Sequence, residues 1–197
     1  MSEASLSVPV VLASGSAERR RLLSELMEDF VVEEPGGEKN PQVEGGSPEA
    51  VAVRRAEMKA RDVARRRSDA LVIAADTVVA CNGDILGKPA DREEAAEMLR
   101  MLTTYPQRVI TGMCLLTPAQ LRLNRVDGAE IEMREFSEEE IQDYVRDNPV
   151  CRWAGGYALQ PDDPNVTRLD GKEATVRGLP LERLEDSIRA LYPGWSG

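Results

Sequence analysis

The sequence predicts one α/β domain built on a mixed β-sheet. Apolar, β-branched runs alternate along the chain with segments whose apolar residues recur at helical spacing. Asn82-Gly83, set between Val79 and Ile85, is a two-residue hairpin signal that makes part of the sheet antiparallel. The 197 residues, 42% of them hydrophobic, suffice for one good-sized core, and no repeat, low-complexity tract or clear linker divides 1–197.

The elements follow in order. Val8, Val10, Val11 and Leu12 suit a buried strand, and Leu22, Leu23, Leu26 and Met27 then recur as on one helix face. Ser16 can cap this helix, with Glu18 in its first turn favoured by the helix dipole. The Gly-, Pro- and acid-rich stretch 33–49 reads as a surface loop of the length found in lids and binding loops. Ser47 and Pro48 open a helix whose buried face is expected from Ala52, Ala56, Met58 and Val63, with most of its arginines solvated. "LVIAADTVVA" reads as a central strand covered on both faces. Asp91 and Glu94 form the signature of a capping box for a helix over 92–104. "RVITGMCLL" is a further strand, followed by a meander around "VDGAEIEMREF". Ser137 and Glu140 signal a second capping box, and Leu181, Leu184, Ile188 and Leu191 line a closing helix after Pro180.

Composition excludes several kinds of chemistry. The net charge of -10 and the scarcity of aromatics disfavour a nucleic-acid partner, and the acidity disfavours an anionic membrane. No apolar stretch is long enough to span a bilayer and the first residues do not resemble a secretory leader, so the expected location is cytoplasmic. Cys81, Cys114 and Cys151 are odd in number and far apart, which argues against a disulfide framework or a CxxC metal site and for buried thiols. The chain has no histidine, so its chemistry must use carboxylates, lysines, arginines, hydroxyls or a hard metal held by oxygen.

Two stretches carry candidate chemistry. "SGSAERRR" at 14–21 joins a strand to a helix N-terminus, where backbone N–H groups and nearby arginines can bind phosphate. By itself, the same stretch fits arginines on a solvated helix face better. Asp76 interrupts an apolar strand, which is costly unless the carboxylate has a partner. The hairpin brings Gly87, Lys88 and Pro89 back towards it, so a carboxylate and an ammonium can face one pocket. Lys59 and Glu38, read alone, are surface charges. Together with Arg19, Lys88 and Asp76 they are suitable parts for binding a triphosphate through a divalent cation and activating water.

"LASGSAERRRLLSEL", "AEMKA", "AADTVVACNGDILGKPADREEAAEMLRML", "VITG", "EEEIQDYV", "AGGYALQ" and "VRGLPLERL" resemble, in order and spacing over nearly the whole chain, the Maf family of nucleoside triphosphate pyrophosphatases. The resemblance implies a fold related to the inosine-triphosphate pyrophosphatases: a long curved mixed sheet flanked by helices, a central cleft, and commonly a homodimer. It implies hydrolysis of a nucleoside triphosphate to the monophosphate and pyrophosphate with Mg2+ or Mn2+. Asp76 matches the family's general base, Glu38 its loop acid, Lys88 and Lys59 the lysines of its "GKP" and "K-A" motifs, and Arg19 the second arginine of its first loop; on this reading Asp76 and Glu38 hold the metal and the three cations the phosphates. Ser14 and Ser16 match the phosphate loop, and Thr77 and Gln160 the substrate-selecting pair of the dTTP- and UTP-specific branch.

Departures from that pattern sharpen the reading. Glu18 stands where the family has its first arginine, a substrate-facing position, and a carboxylate there repels a triphosphate unless Arg20 or Arg21 compensates. Arg152 and Trp153 replace an acid and a lysine, and Trp153 can stack on a base or fill the cleft. The main expectation is a dTTP/UTP pyrophosphatase. The alternatives are a pyrophosphatase for a modified or purine nucleotide, and a catalytically weak nucleotide-binding regulator of cell division.

Overall fold

The protein is described from a computed structural model over residues 6–36, 45–160 and 162–195. Its strands are β1 (Val10–Ala13), β2 (Val31–Glu33), β3 (Leu71–Cys81), β4 (Asp84–Leu86), β5 (Gln107–Leu116), β6 (Arg122–Met133) and β7 (Val166–Asp170). Its helices are α1 (Ala17–Ser24), α2 (Pro48–Ala64), α3 (Arg92–Thr104), α4 (Glu138–Asp147), α5 (Glu173–Val176) and α6 (Leu181–Leu191), with short 3-10 turns at Val150–Arg152 and Ala154–Gly156. Among the described residues the seven strands form one mixed sheet in the order β2-β1-β3-β5-β6-β7, with β4 paired to β3. β1 runs parallel to β2 and β3, and the remaining pairings are antiparallel.

Alternation along the strands divides the core. Leu12, Ile73, Ala75, Met113 and Leu115 pack with Leu22 and Leu23 of α1 and Leu184 and Ile188 of α6 on one face. Val11, Ala13, Val72 and Ala74 pack with Ala56, Ala60 and Val63 of α2 on the other. The helix contributes small residues because it lies close. A Cβ at Gly112, the cross-strand partner of Asp76, would stand 2.4 Å from the backbone of Ala52 and Val53.

The hairpin forms as its sequence predicts, with Asn82 and Gly83 at positive φ of 49° and 91°. Other details differ. Met58 is exposed, since the helical face that meets the sheet is completed by Val51 and Ala60. Glu94 returns its hydrogen bond to the N–H of Ala90 at 2.6 Å instead of to Asp91, so the box at the head of α3 is opened by one residue. The box of Ser137 and Glu140 is complete. The expected meander is part of one twelve-residue strand, β6, whose pairing with β5 runs from Gln107–Ile131 to Leu116–Arg122. Cys81 and Cys114 are buried thiols, whereas Cys151 is exposed.

One topological feature creates the cleft. Pairing of β1 with β3 ends at Ile73, and pairing of β4 with β3 begins at Val79, so, among the described residues, 74–78 of β3 have no strand on that edge. Asp76 and Thr77 occupy this gap, one on each face of the sheet.

Candidate active site

A cavity of about 730 Å3 opens at the gap, within the range of small-molecule sites. Its lining includes Ser14, Ser16, Glu18, Arg19, Lys59, Asp76, Thr77 and Lys88, which the fold brings together from the first loop, α1, α2, β3 and the segment after β4. Gln160 is not in the lining: its exposed side chain donates to its own neighbourhood, the carbonyl of Ala158, at 3.2 Å. Glu38 lies outside the described residues.

The phosphate-side loop is built locally. Ser14 is buried, and its hydroxyl accepts from the N–H of Ser16 at 3.1 Å; Ser16 in turn caps α1 by accepting from the N–H of Arg19 at 3.3 Å. The turn is so tight that a Cβ at Gly15 would meet the Glu34 carboxylate at 2.7 Å, which places Glu34 on the cleft wall.

Asp76 is 3% exposed on the α2 side of β3. The Lys59 ammonium donates to its Oδ1, and Arg55 stands with Nη1 3.9 Å from Oδ2. Oδ2 is buried and accepts no hydrogen bond among the described residues. Lys59 reaches in from α2, and burial holds its pKa below 10.5 although Asp76 pulls it up. Arg55 was masked in the sequence by the run of solvated arginines around it; only its spacing of four residues from Lys59, which puts both on one helix face, could have drawn attention to it.

On the opposite face, Arg19 is held by a directional chain. Its Nε donates to the carbonyl of Gly178 at 2.8 Å and its Nη2 to Thr77 Oγ1 at 3.0 Å. Thr111 commits its only proton to the carbonyl of Thr175 at 2.8 Å, so across the 2.8 Å contact between the two hydroxyls Thr77 is the donor. Desolvation opposes the charge on Arg19, and Asp76 supports it.

Glu18 is neutralised by a residue the sequence reading missed. Arg177 donates to Glu18 Oε1 through Nε at 2.5 Å and again through Nη2, and its Nη1 donates to Glu173 at 3.1 Å. Arg21 adds a weaker contact at 3.3 Å. Nothing local in "VRGLP" announces this, because the partners are 159 positions apart.

Within an acidic chain, the described lining carries five lysine or arginine side chains, Arg19, Lys59, Lys88, Arg152 and Arg177, against the carboxylates of Glu18, Glu34 and Asp76. The cation-rich end suits an anion. The other end is apolar, lined by Val79, Leu102, Val109, Ile131 and Met133 with Trp153 and Tyr157 beside them. An anionic group joined to a flat, less polar one suits both ends. The Oδ2 of Asp76, which accepts no hydrogen bond among the described residues, is also the kind of oxygen a hard cation takes, although no cluster of three candidate ligands occurs among them.

A dTTP/UTP pyrophosphatase of Deinococcus radiodurans is 38% identical over 173 residues, 87% of each chain. One of Pelotomaculum thermopropionicum is 39% identical over 183 residues, covering 91% of this chain and 95% of the relative. A solved nucleoside-triphosphatase / dITP/XTP pyrophosphatase of Mycobacterium abscessus covers 94% of this chain and 98% of its own at 16% identity, with a TM-score of 0.46. The family described as Maf-like protein matches residues 9–191, and the chain belongs to it.

Proposed function

We propose that the protein is a nucleoside triphosphate pyrophosphatase that hydrolyses dTTP and UTP to the monophosphate and pyrophosphate. The observation that carries this reading is the buried Asp76 carboxylate, hydrogen-bonded by Lys59 at one oxygen and without a hydrogen bond at the other, which faces Arg55 at 3.9 Å, among cations in the cleft. Relatives named dTTP/UTP pyrophosphatase at 38% and 39% identity support the substrate class.

In this mechanism Lys59 orients the Asp76 carboxylate, and Oδ2 takes a proton from the water that attacks the α-phosphorus. Arg19, Lys59 and Lys88 stabilise the charge that develops on the phosphate oxygens as the bond to the β-phosphate breaks. Asp76 and, by the resemblance, Glu38 would be the residues to hold a divalent cation, Mg2+ or Mn2+. Such an ion would supply further neutralisation of the phosphates. Ser14 and Ser16 shape the phosphate loop.

The repulsion expected from Glu18 is reduced by Arg177, which binds its Oε1. We also read the protein as a cytoplasmic homodimer, to be checked by sedimentation. Among the described residues no helix is long and apolar enough to cross a membrane.

The test is pyrophosphate release with Mg2+ or Mn2+ across dTTP, UTP, CTP and 7-methyl-GTP, with Asp76→Asn as control. Release from dTTP and UTP that falls about 10²–10⁴-fold in the folded variant is the expected result. Near-normal turnover by Asp76→Asn would remove its assigned role.

A further inference from the structure

Gln107, the first residue of β5, is 5% exposed and lines the cleft. Its side-chain amide bonds to no other described residue and is not one of the sealed, orphaned polar atoms, so it meets the cavity, whose walls at Leu102, Val109 and Ile131 are apolar. A carboxamide that meets an apolar-walled cavity without a protein partner can offer both its donor and its acceptor to a ligand.

Its position relative to the phosphate end is set by strand register. Gln107, Val109 and Thr111 share one face of β5, and Thr111 pairs with Thr77, which touches Arg19. Four residues of strand separate Gln107 from Thr111, about 13–14 Å. Less the reach of the side chains at either end, that is the span from the α-phosphate of an extended nucleotide to the far edge of its base.

The geometry points to Gln107 as the residue that reads the nucleobase, its amide pairing with the edge of a pyrimidine: Nε2–H to O4, and N3–H to Oε1. This deepens the pyrimidine triphosphate reading above and rests on it. The two residues matched by resemblance to base selection are otherwise engaged. The proton of Thr77 goes to Thr111 and one of its lone pairs to Arg19. The amide of Gln160 is turned onto Ala158, outside the cavity lining.

Binding of α,β-methylene dTTP and α,β-methylene UTP, which cannot be cleaved at that bond, tests the assignment alongside binding of inorganic pyrophosphate. Gln107→Leu is expected to weaken both nucleotide analogues at least tenfold, to change the pyrophosphate dissociation constant less than twofold, and to leave the melting temperature equal or higher. Unchanged analogue binding overturns the inference. So does an equal weakening of analogues and pyrophosphate, or a lowered melting temperature with it, because either marks a structural role. A wild-type protein that neither binds the analogues nor releases pyrophosphate instead overturns the proposed function, a result visible before any variant is compared.

Discussion

Glu18 and Arg177, 159 positions apart, form a clamp at the head of α1 in which one carboxylate oxygen accepts from both Nε and Nη2 of the guanidinium. The clamp allows an acidic residue to stand at the cation-rich end of the cleft. Arg177→Met would leave Glu18 only the weaker Arg21 contact, at a cost of about 1–2 kcal/mol to the binding of an anionic substrate in this partly exposed setting, and should raise KM for dTTP roughly tenfold. Glu18→Gln in the same chain should recover most of that loss. Steady-state kinetics of the two singles and the double would show whether the effects are coupled.

Gly112 is expected to be intolerant of even one methyl group. It sits opposite Asp76 on β5, and the space a Cβ would need is filled by the α2 backbone at Ala52 and Val53. Gly112→Ala must push α2 off the sheet, which carries Arg55 and Lys59 away from Asp76. A loss of about 3 kcal/mol in denaturant unfolding is expected, together with reduced turnover in whatever remains folded.

How much of this was legible in the sequence depended on whether the signal was local. The Asn82-Gly83 turn, the Ser16, Ser47 and Ser137 caps and the apolar stripe of α6 are decided within a few residues, and the structure contains them all. Asp76 stood out because a charge in an apolar run needs a partner, and Lys59 supplies it. Arg55, Arg177 and Gln107 were not legible, since their roles arise from α2, α5 and β5 converging on one gap in the sheet. Met58 misled because a helix packed tightly on a sheet buries alanines and can leave a larger apolar residue outside.

The threonine chain behind Arg19 gives a third prediction. Thr111 is fully buried, receives the proton of Thr77 and donates to Thr175. Thr111→Val keeps the shape but removes both bonds, leaving the Thr175 carbonyl without this donor and the Thr77 hydroxyl free to turn. A loss of about 1–3 kcal/mol in stability is expected. KM for dTTP should rise because Arg19 is no longer held, and Thr111→Ser should retain both properties. Equal kinetics for the valine and serine variants would remove Thr111 from the positioning of Arg19.

Lys59 should make stability and substrate affinity respond oppositely to alkaline pH. Burial lowers its pKa in the folded chain below the 10.5 of an exposed lysine, and Arg19 and Arg55 push in the same direction, against the pull of Asp76. Between the folded value and 10.5 the unfolded chain therefore binds more protons than the native one, so this group's contribution to stability rises as pH rises through that window. Over the same window the native site loses a cation, so KM for dTTP rises. Other groups titrate there too, and Lys59→Arg isolates the lysine because a guanidinium keeps its charge. Whatever its offset at neutral pH, the arginine variant should lack the part of the alkaline rise in KM that comes from Lys59. An identical alkaline limb in the two proteins would show that Lys59 does not hold the phosphates through its charge.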